Sequence, residues 1–275
     1  MLVTLEACYS GSIFDQNLLK SNLSIYAITA SNSKEESFAE FYDLKKDTYL
    51  SDIFTQNWIN SWISCEKTDS TLAEQYEIVR NRTNTSHVSQ FGNLNLAKST
   101  KINDFLYPSA IKGLANQKCI NRRVAGRTSP DRLVSPSSDV KFTAYEHLSK
   151  QDKLSDEHTR VIEELRKGRH FLKEHILKLS ERLAGLLNLS STALLNHDEM
   201  IEDRECYEQL VHVYHQNCFK INEHTYLSRY LQIFYKACNA LINDKMKSTK
   251  IKQLETAIIE QCKSLEPKDF KIKIQ

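Results

Sequence analysis

The sequence predicts an α/β domain followed by an all-α, disulfide-linked helical domain. Three observations lead there. Short β-branched runs alternate with helical patterns only in residues 1–93. Three of the four prolines (Pro108, Pro130, Pro136) fall in an aperiodic stretch, residues 94–140. The last segment, 141–275, has long 3.6-residue periodicity and four of the seven cysteines. At 275 residues the chain is long enough for one or two domains. A formal net charge of +2 implies no nucleic acid or other polyelectrolyte partner. No apolar run approaches the roughly 18 residues that cross a membrane.

In chain order, "MLVTLEA" and "SIYAITAS" read as buried strands. "TYLSDIFTQNWINSWI" and "STLAEQYEIVRNR" read as amphipathic helices, and Thr71 with Glu74 makes a capping box at the start of the second. This first segment holds 7 Lys/Arg against 12 Asp/Glu, a net of −5. The segment 94–140 reverses that, with 8 basic against 3 acidic residues, and reads as a mobile, exposed linker. Four helices follow: "SDEHTRVIEELRKGRHFLKEHILKLSERLAGLL", "CYEQLVHVYHQNC", "TYLSRYLQIFYKACNALI" and "STKIKQLETAIIEQC".

Helix geometry restricts the late cysteines. Cys206 and Cys218 lie 12 residues apart at the two ends of one helix, about 18 Å along its axis. A disulfide needs Cα atoms within about 7 Å, so these two cannot join. Short connections make successive helices antiparallel. That order favours Cys206 with Cys238 and Cys218 with Cys262, and it places the crossed alternative at opposite ends. The bland alternative is four reduced thiols in a core. Paired cysteines imply an oxidising compartment.

Cys8 in "LEACYSGS" closes the first strand. The carboxyl end of a buried strand is where open α/β sheets bind ligands. Gly11 with the small Ser10 and Ser12 permits close approach of a substrate backbone, and the Cys8 N–H can donate to a developing oxyanion. Read from position alone, a nucleophile and an inert strand-end thiol are equally supported.

"LEACYSGSIF", "IYAITASNSKEESF", "TYLSDIFTQNW" and "RTNTSHVSQFGN" resemble, in order, the motifs of the legumains, asparagine-specific cysteine endopeptidases. The four-cysteine helical tail is similar to the legumain prodomain. The resemblance implies a fold in which residues 1–93 are the C-terminal part of a caspase-like catalytic domain, 94–140 a linker or activation segment, and 141–275 the prodomain. It implies that Cys8 is the nucleophile and that Glu6, Ser37 and Asp52 read the amide of the substrate's asparagine, since carboxylates accept from its NH₂. Asn84 matches a processing point after which such zymogens are cut. It also heads an N-x-S sequon, as does Asn188, while Asn22 and Asn81 head others. No cofactor is implied. The expected partners are peptide or protein substrates, with the prodomain packing on the catalytic domain and no membrane span. The expected location is a lysosome, vacuole or the secretory pathway.

Two departures stand beside the pocket. Glu36 replaces a usual serine before Ser37, and Tyr9 stands where an acidic residue is common. A cysteine nucleophile also needs a base, which the family takes from a His-Gly step on an earlier strand. Only seven residues precede Cys8, and the first histidine, His87, matches a non-catalytic position. The expectation is therefore an N-terminally truncated, inactive member without its basic histidine or a signal peptide. The alternatives are a non-catalytic protein that binds and inhibits a protease through the prodomain, or a peptide ligase or transpeptidase. Glu208, His212 and His215 share one helix face, where a metal cluster is possible; an amphipathic helix with partly exposed polar residues is the preferred reading, so no metal is expected.

Overall fold

The structure is a computed structural model that describes residues 1–43, 45–63, 70–106, 133–151, 155–196 and 199–265. Cys65 and Cys119 lie outside the described residues. In chain order the elements are β1 (Leu2–Leu5), β2 (Tyr26–Thr29), β3 (Phe38–Asp43), β4 (Thr48–Asp52), α1 (Ile53–Ile63), α2 (Leu72–Arg82), β5 (Ser89–Gly92), α3 (Leu94–Ser99), α4 (Asn103–Leu106), β6 (Val134–Pro136), α5 (Val140–Ser149), α6 (Asp156–Leu187), α7 (Ser191–Leu195), α8 (Arg204–Asn217), α9 (Gln232–Asn239) and α10 (Lys247–Lys263). They gather into two compact units, Met1–Val140 and Lys141–Gln275.

In the first unit, β1 runs parallel to β2, and β5 closes the other side of β2 antiparallel, with Tyr26 opposite Gly92 and Thr29 opposite Ser89. Every residue of β2 is buried, which is why "IYAIT" reads as a continuous apolar run rather than an alternation. The helix α2 lays Leu72, Tyr76 and Val79 on Tyr26, Ile28 and Ala30, with Phe54 and Val88 completing the core. Those three sit at i, i+4 and i+7, one face of a helix. Thr71 Oγ1 accepts from the Glu74 N–H at 3.2 Å, and the Glu74 carboxylate accepts from the Thr71 N–H at 2.8 Å. Both halves of the capping box are therefore made.

The second sheet has the order β4-β3-β6. Here the structure departs from the sequence reading twice. Residues 48–52, expected as the first turns of a helix, form β4: Thr48 pairs with Asp43, Tyr49 with Tyr42, and Asp52 with Ala39. The hairpin is held by this ladder, and the Tyr42 and Tyr49 rings meet edge-on at 5.2 Å across it. The helix begins only where Asp52 Oδ1 accepts the Phe54 N–H at 2.8 Å, an N-cap. The expected linker 94–140 holds α3, capped by Asn93 on the Leu96 N–H, α4, and a strand. β6 pairs antiparallel with β3, with Phe38 opposite Pro136 and Glu40 opposite Val134, and Ser135 is buried. Three residues are too few to show a two-residue alternation, so the pattern could not announce the strand.

The second unit is built on α6, 32 residues long, or about 48 Å. Ile162, Leu165, Leu172, Ile176, Leu179 and Leu183 form its buried stripe, and Ser155 caps its start on the His158 N–H. It ends where Asn188 turns left-handed at φ 54° and the Leu189 N–H reaches Ala184 O at 2.9 Å, a Schellman-type stop. The helix expected over 225–242 is shorter. Thr225–Tyr230 is a 3₁₀ turn that leads into α9, and Tyr226 there lies against the guanidinium groups of Arg169 at 4.5 Å and Arg229 at 4.3 Å. Two disulfides join Cys206 to Cys238 and Cys218 to Cys262, with Cα atoms 5.8 and 5.0 Å apart. With the partners 32 and 44 positions apart in sequence, the chain-entropy model gives each about 4 kcal/mol.

Replacing Thr71 with alanine removes the capping box while leaving the core intact. We expect a loss of about 1 kcal/mol, read as a lower urea midpoint for the first unit with an unchanged slope. No shift in the midpoint would show that the box contributes nothing.

Candidate active site

Cys8 lies three residues past the end of β1, at the edge of the sheet to which the parallel β1–β2 pair delivers it. The turn that follows is tightly fixed. Tyr9 is left-handed at φ 56°, and its N–H donates to Glu35 O at 2.7 Å. Ser10, buried, donates its N–H and exchanges its hydroxyl with Ser31 at 3.2 Å. A side chain on Gly11 would put a Cβ 2.9 Å from Asn32 C and Ser33 N, so only glycine fits there. The loop from β2 to β3 thus clamps the cysteine turn along its whole length.

The Cys8 sulfur lies 3.9 Å from both the carbonyl and the hydroxyl oxygen of Ser37. Ser37 immediately precedes β3, while Asp52 ends β4; both are buried. Between them sits Ser137, just past β6. Its N–H donates to Ser37 O at 2.9 Å, its hydroxyl contacts Ser37 Oγ at 3.1 Å, and it donates to Asp52 Oδ2 at 3.1 Å. The next residue, Ser138, donates its hydroxyl to Glu36 Oε1 at 2.9 Å. The segment read as a free linker therefore ends inside the site.

Electrostatics here run against ionisation. Burial pushes the Cys8 thiol above its ordinary value, and Glu36 adds to the rise; hydrogen bonds from the Ser37 and Ser138 main chains and the Ser37 hydroxyl oppose it. Burial likewise raises Asp52, against its bonds from Phe54, Ser37 and Ser137. Glu6 is pushed up to about 7 by burial and then by the Asp52 charge. Its residue surface is nonetheless exposed, so water screens the effect and the direction alone matters. Cys8, Glu36, Ser37 and Asp52 are thus brought to one place, with Glu6 within reach of the Asp52 charge.

His87 is not part of that group. Its ring Nδ1 lies 2.8 Å from Glu35 Oε2 and its N–H donates to Glu35 Oε1. Asn84 is exposed in the connection from α2 to β5, between the buried Thr83 and Ser86. Ser86 anchors that connection through a 2.7 Å bond to Ala30 O. In the helical unit His215 Nδ1 accepts the Ile221 N–H at 3.2 Å. Among the described residues no three His, Cys, Asp or Glu side chains gather as a metal site, and no helix is long and apolar enough to cross a membrane. The sequence reading missed Glu35, Ser137 and Ser138. A serine pair after a proline carries no periodic signal, and Glu35 acts as much through its carbonyl as through its side chain.

Two family models match this chain: the Peptidase C13 family over residues 1–109 and the legumain prodomain over residues 160–262. The chain is 30% identical over 245 residues to the legumain of Mus musculus, which takes in 87% of this chain and 54% of that one. It is 27% identical over 277 residues to the vacuolar-processing enzyme delta-isozyme of Arabidopsis thaliana, 92% and 57%. The hemoglobinase of Schistosoma japonicum is 26% identical over 242 residues, 86% and 54%. The chain spans about half the length of the curated relatives it matches.

The raised Cys8 thiol has a measurable signature. Its alkylation by iodoacetamide should still be climbing above the roughly 8.5 inflection of a free cysteine. Glu36→Gln should lower the inflection, because removing a like charge favours the thiolate. An inflection at or below 8.5 in the unaltered chain would contradict this electrostatic picture.

Proposed function

Starting from the fact that this chain is a legumain-type protein of the peptidase C13 family, whose members are cysteine endopeptidases, we propose that Cys8 is the nucleophile of a caspase-like endopeptidase site directed to asparagine. One observation carries this reading: a strand from the chain itself lies along β3 with a side-chain hydroxyl bonded to both Ser37 and Asp52, beside the Cys8 sulfur. Extended peptides are commonly bound by such strand addition. An asparagine side chain there would offer its NH₂ to Asp52 and Glu6 and its carbonyl to the Ser37 hydroxyl. A protonated aspartic acid can donate in the same way, which extends the activity to Asp at acid pH.

In the reaction the Cys8 thiolate attacks the carbonyl carbon of the asparagine. A carbon–sulfur bond forms, the carbon–nitrogen bond breaks, and a base that has taken the thiol proton returns it to the leaving amine. Water then hydrolyses the acyl-enzyme. Within the first unit the sequence has one histidine, His87, and it is held by Glu35; burial makes the thiol the expected resting form of Cys8. The helical unit acts as the regulatory prodomain, and the location is the lysosome or vacuole. Asn84 is the proposed processing point. A cut there falls inside the first unit and leaves β5 hydrogen-bonded to β2 and β6 to β3, so separating the two pieces requires both strands to peel away as well.

The raised thiol also favours, for this chain by itself, a second reading as a non-catalytic binder of proteases. Two measurements separate the readings. Alanyl-alanyl-asparaginyl chloromethyl ketone at pH 8.5 should label Cys8 at least tenfold faster than the leucyl analogue; equal rates would remove the asparagine pocket. Separately, we expect no turnover of an Ala-Ala-Asn reporter at pH 5.5 by the 275-residue chain. Turnover that Cys8→Ala abolishes would show that a base is present after all.

A further inference from the structure

The segment that lies along β3 adds to it as an antiparallel strand, the mode in which extended peptides are commonly bound. The ladder runs antiparallel through Val134 opposite Glu40, Ser135 opposite Ala39 and Pro136 opposite Phe38. It continues with the Ser137 N–H on Ser37 O at 2.9 Å. That carbonyl is also 3.9 Å from the Cys8 sulfur. With the Ser137 hydroxyl on Ser37 and Asp52, beside that sulfur, a substrate bound in the same register would present the bond that corresponds to the one joining Ser137 to Ser138. Ser137 occupies the place of the residue that would be acylated onto Cys8. Ser138 occupies the place of the residue that would leave.

This alignment assigns a role to a side chain that the asparagine pocket does not use. Glu36 accepts the Ser138 hydroxyl at 2.9 Å, on the leaving side of the bond. Ser37 and Asp52, by contrast, meet the residue before the bond. We infer that Glu36 is a specificity-determining residue that selects, immediately after the cleaved bond, a side chain carrying a donor or a positive charge: serine, threonine, lysine or arginine rather than aspartate or glutamate. The inference rests on the endopeptidase reading above and adds a substrate class to it. Its chemistry is simple. A carboxylate accepts from a hydroxyl, pairs more strongly with an ammonium or guanidinium group, and repels a second carboxylate.

The strand already in the cleft makes the first test, using the full chain and iodoacetamide labelling of Cys8 read by mass spectrometry. Ser138→Lys should hold the strand down and slow labelling, whereas Ser138→Glu should expel it and speed labelling, with a ratio of at least fivefold. The charge at 138 acting directly on the thiolate would give the opposite order. In a Glu36→Ser background the ratio should fall to within twofold; the same fivefold ratio in that background would overturn the role of Glu36.

The second test uses Ser137→Asp, which sets a carboxylate against Asp52 and opens the cleft, with acetyl-Ala-Ala-Asn-Lys-amide and acetyl-Ala-Ala-Asn-Glu-amide as protectants of Cys8. The lysine peptide should protect at a concentration at least fivefold lower, and Glu36→Ser should erase that advantage. Equal protection by both peptides would overturn the inference and leave the endopeptidase reading standing. Protection by neither, with labelling faster than in the unaltered chain, would overturn both.

Discussion

The hydrogen bond from the Ser137 N–H to Ser37 O is the contact on which the organisation of the site turns. It extends a sheet by one strand, and the residue that accepts it is also the neighbour of the Cys8 sulfur. Register is unforgiving in a sheet, because a slip of one residue turns every side chain to the opposite face. With Ser137 fixed on Ser37, its hydroxyl must fall on Asp52 and that of Ser138 on Glu36. The acidic character of the cleft and the hydroxyl character of the strand are thus complementary through the backbone.

Much of the frame was legible in the sequence because it rests on strong local signals. The capping box of α2, the stripe of α6 and the apolar run of β2 are each carried by residues close together in the sequence. The cysteine spacings were legible for a related reason: helix rise converts sequence separation into distance. β4 was misread because "TYLSD" and the helix after it form one continuous run of mixed character, and the pairing with β3, with its tyrosine pair, lies outside any local window. β6 was invisible because its stability comes from a partner almost a hundred residues earlier, and propensity windows do not see such pairing.

Of the candidate site, motif and chemistry pointed to Cys8, Glu6, Ser37 and Asp52, yet motif alone did not say that the thiol would rest in an environment that resists ionisation. That property arises from burial and from Glu36 acting together. The clamp formed by Glu35, which binds the Tyr9 N–H through its carbonyl and the His87 N–H through its carboxylate, was hidden because it joins three separate segments. It ties the cysteine turn to the connection that holds Asn84.

The two disulfides of the helical unit interleave along the chain: Cys206, Cys218, Cys238 and Cys262 alternate between the pairs. Any single break in the backbone between the first and last of them leaves both pieces covalently tied. A nick in the connection before α9, or in the one before α10, does not release a fragment. Dismantling the bundle takes reduction or at least two cuts. In a compartment crowded with hydrolases, such a unit would outlast nearly everything joined to it by an ordinary stretch of chain.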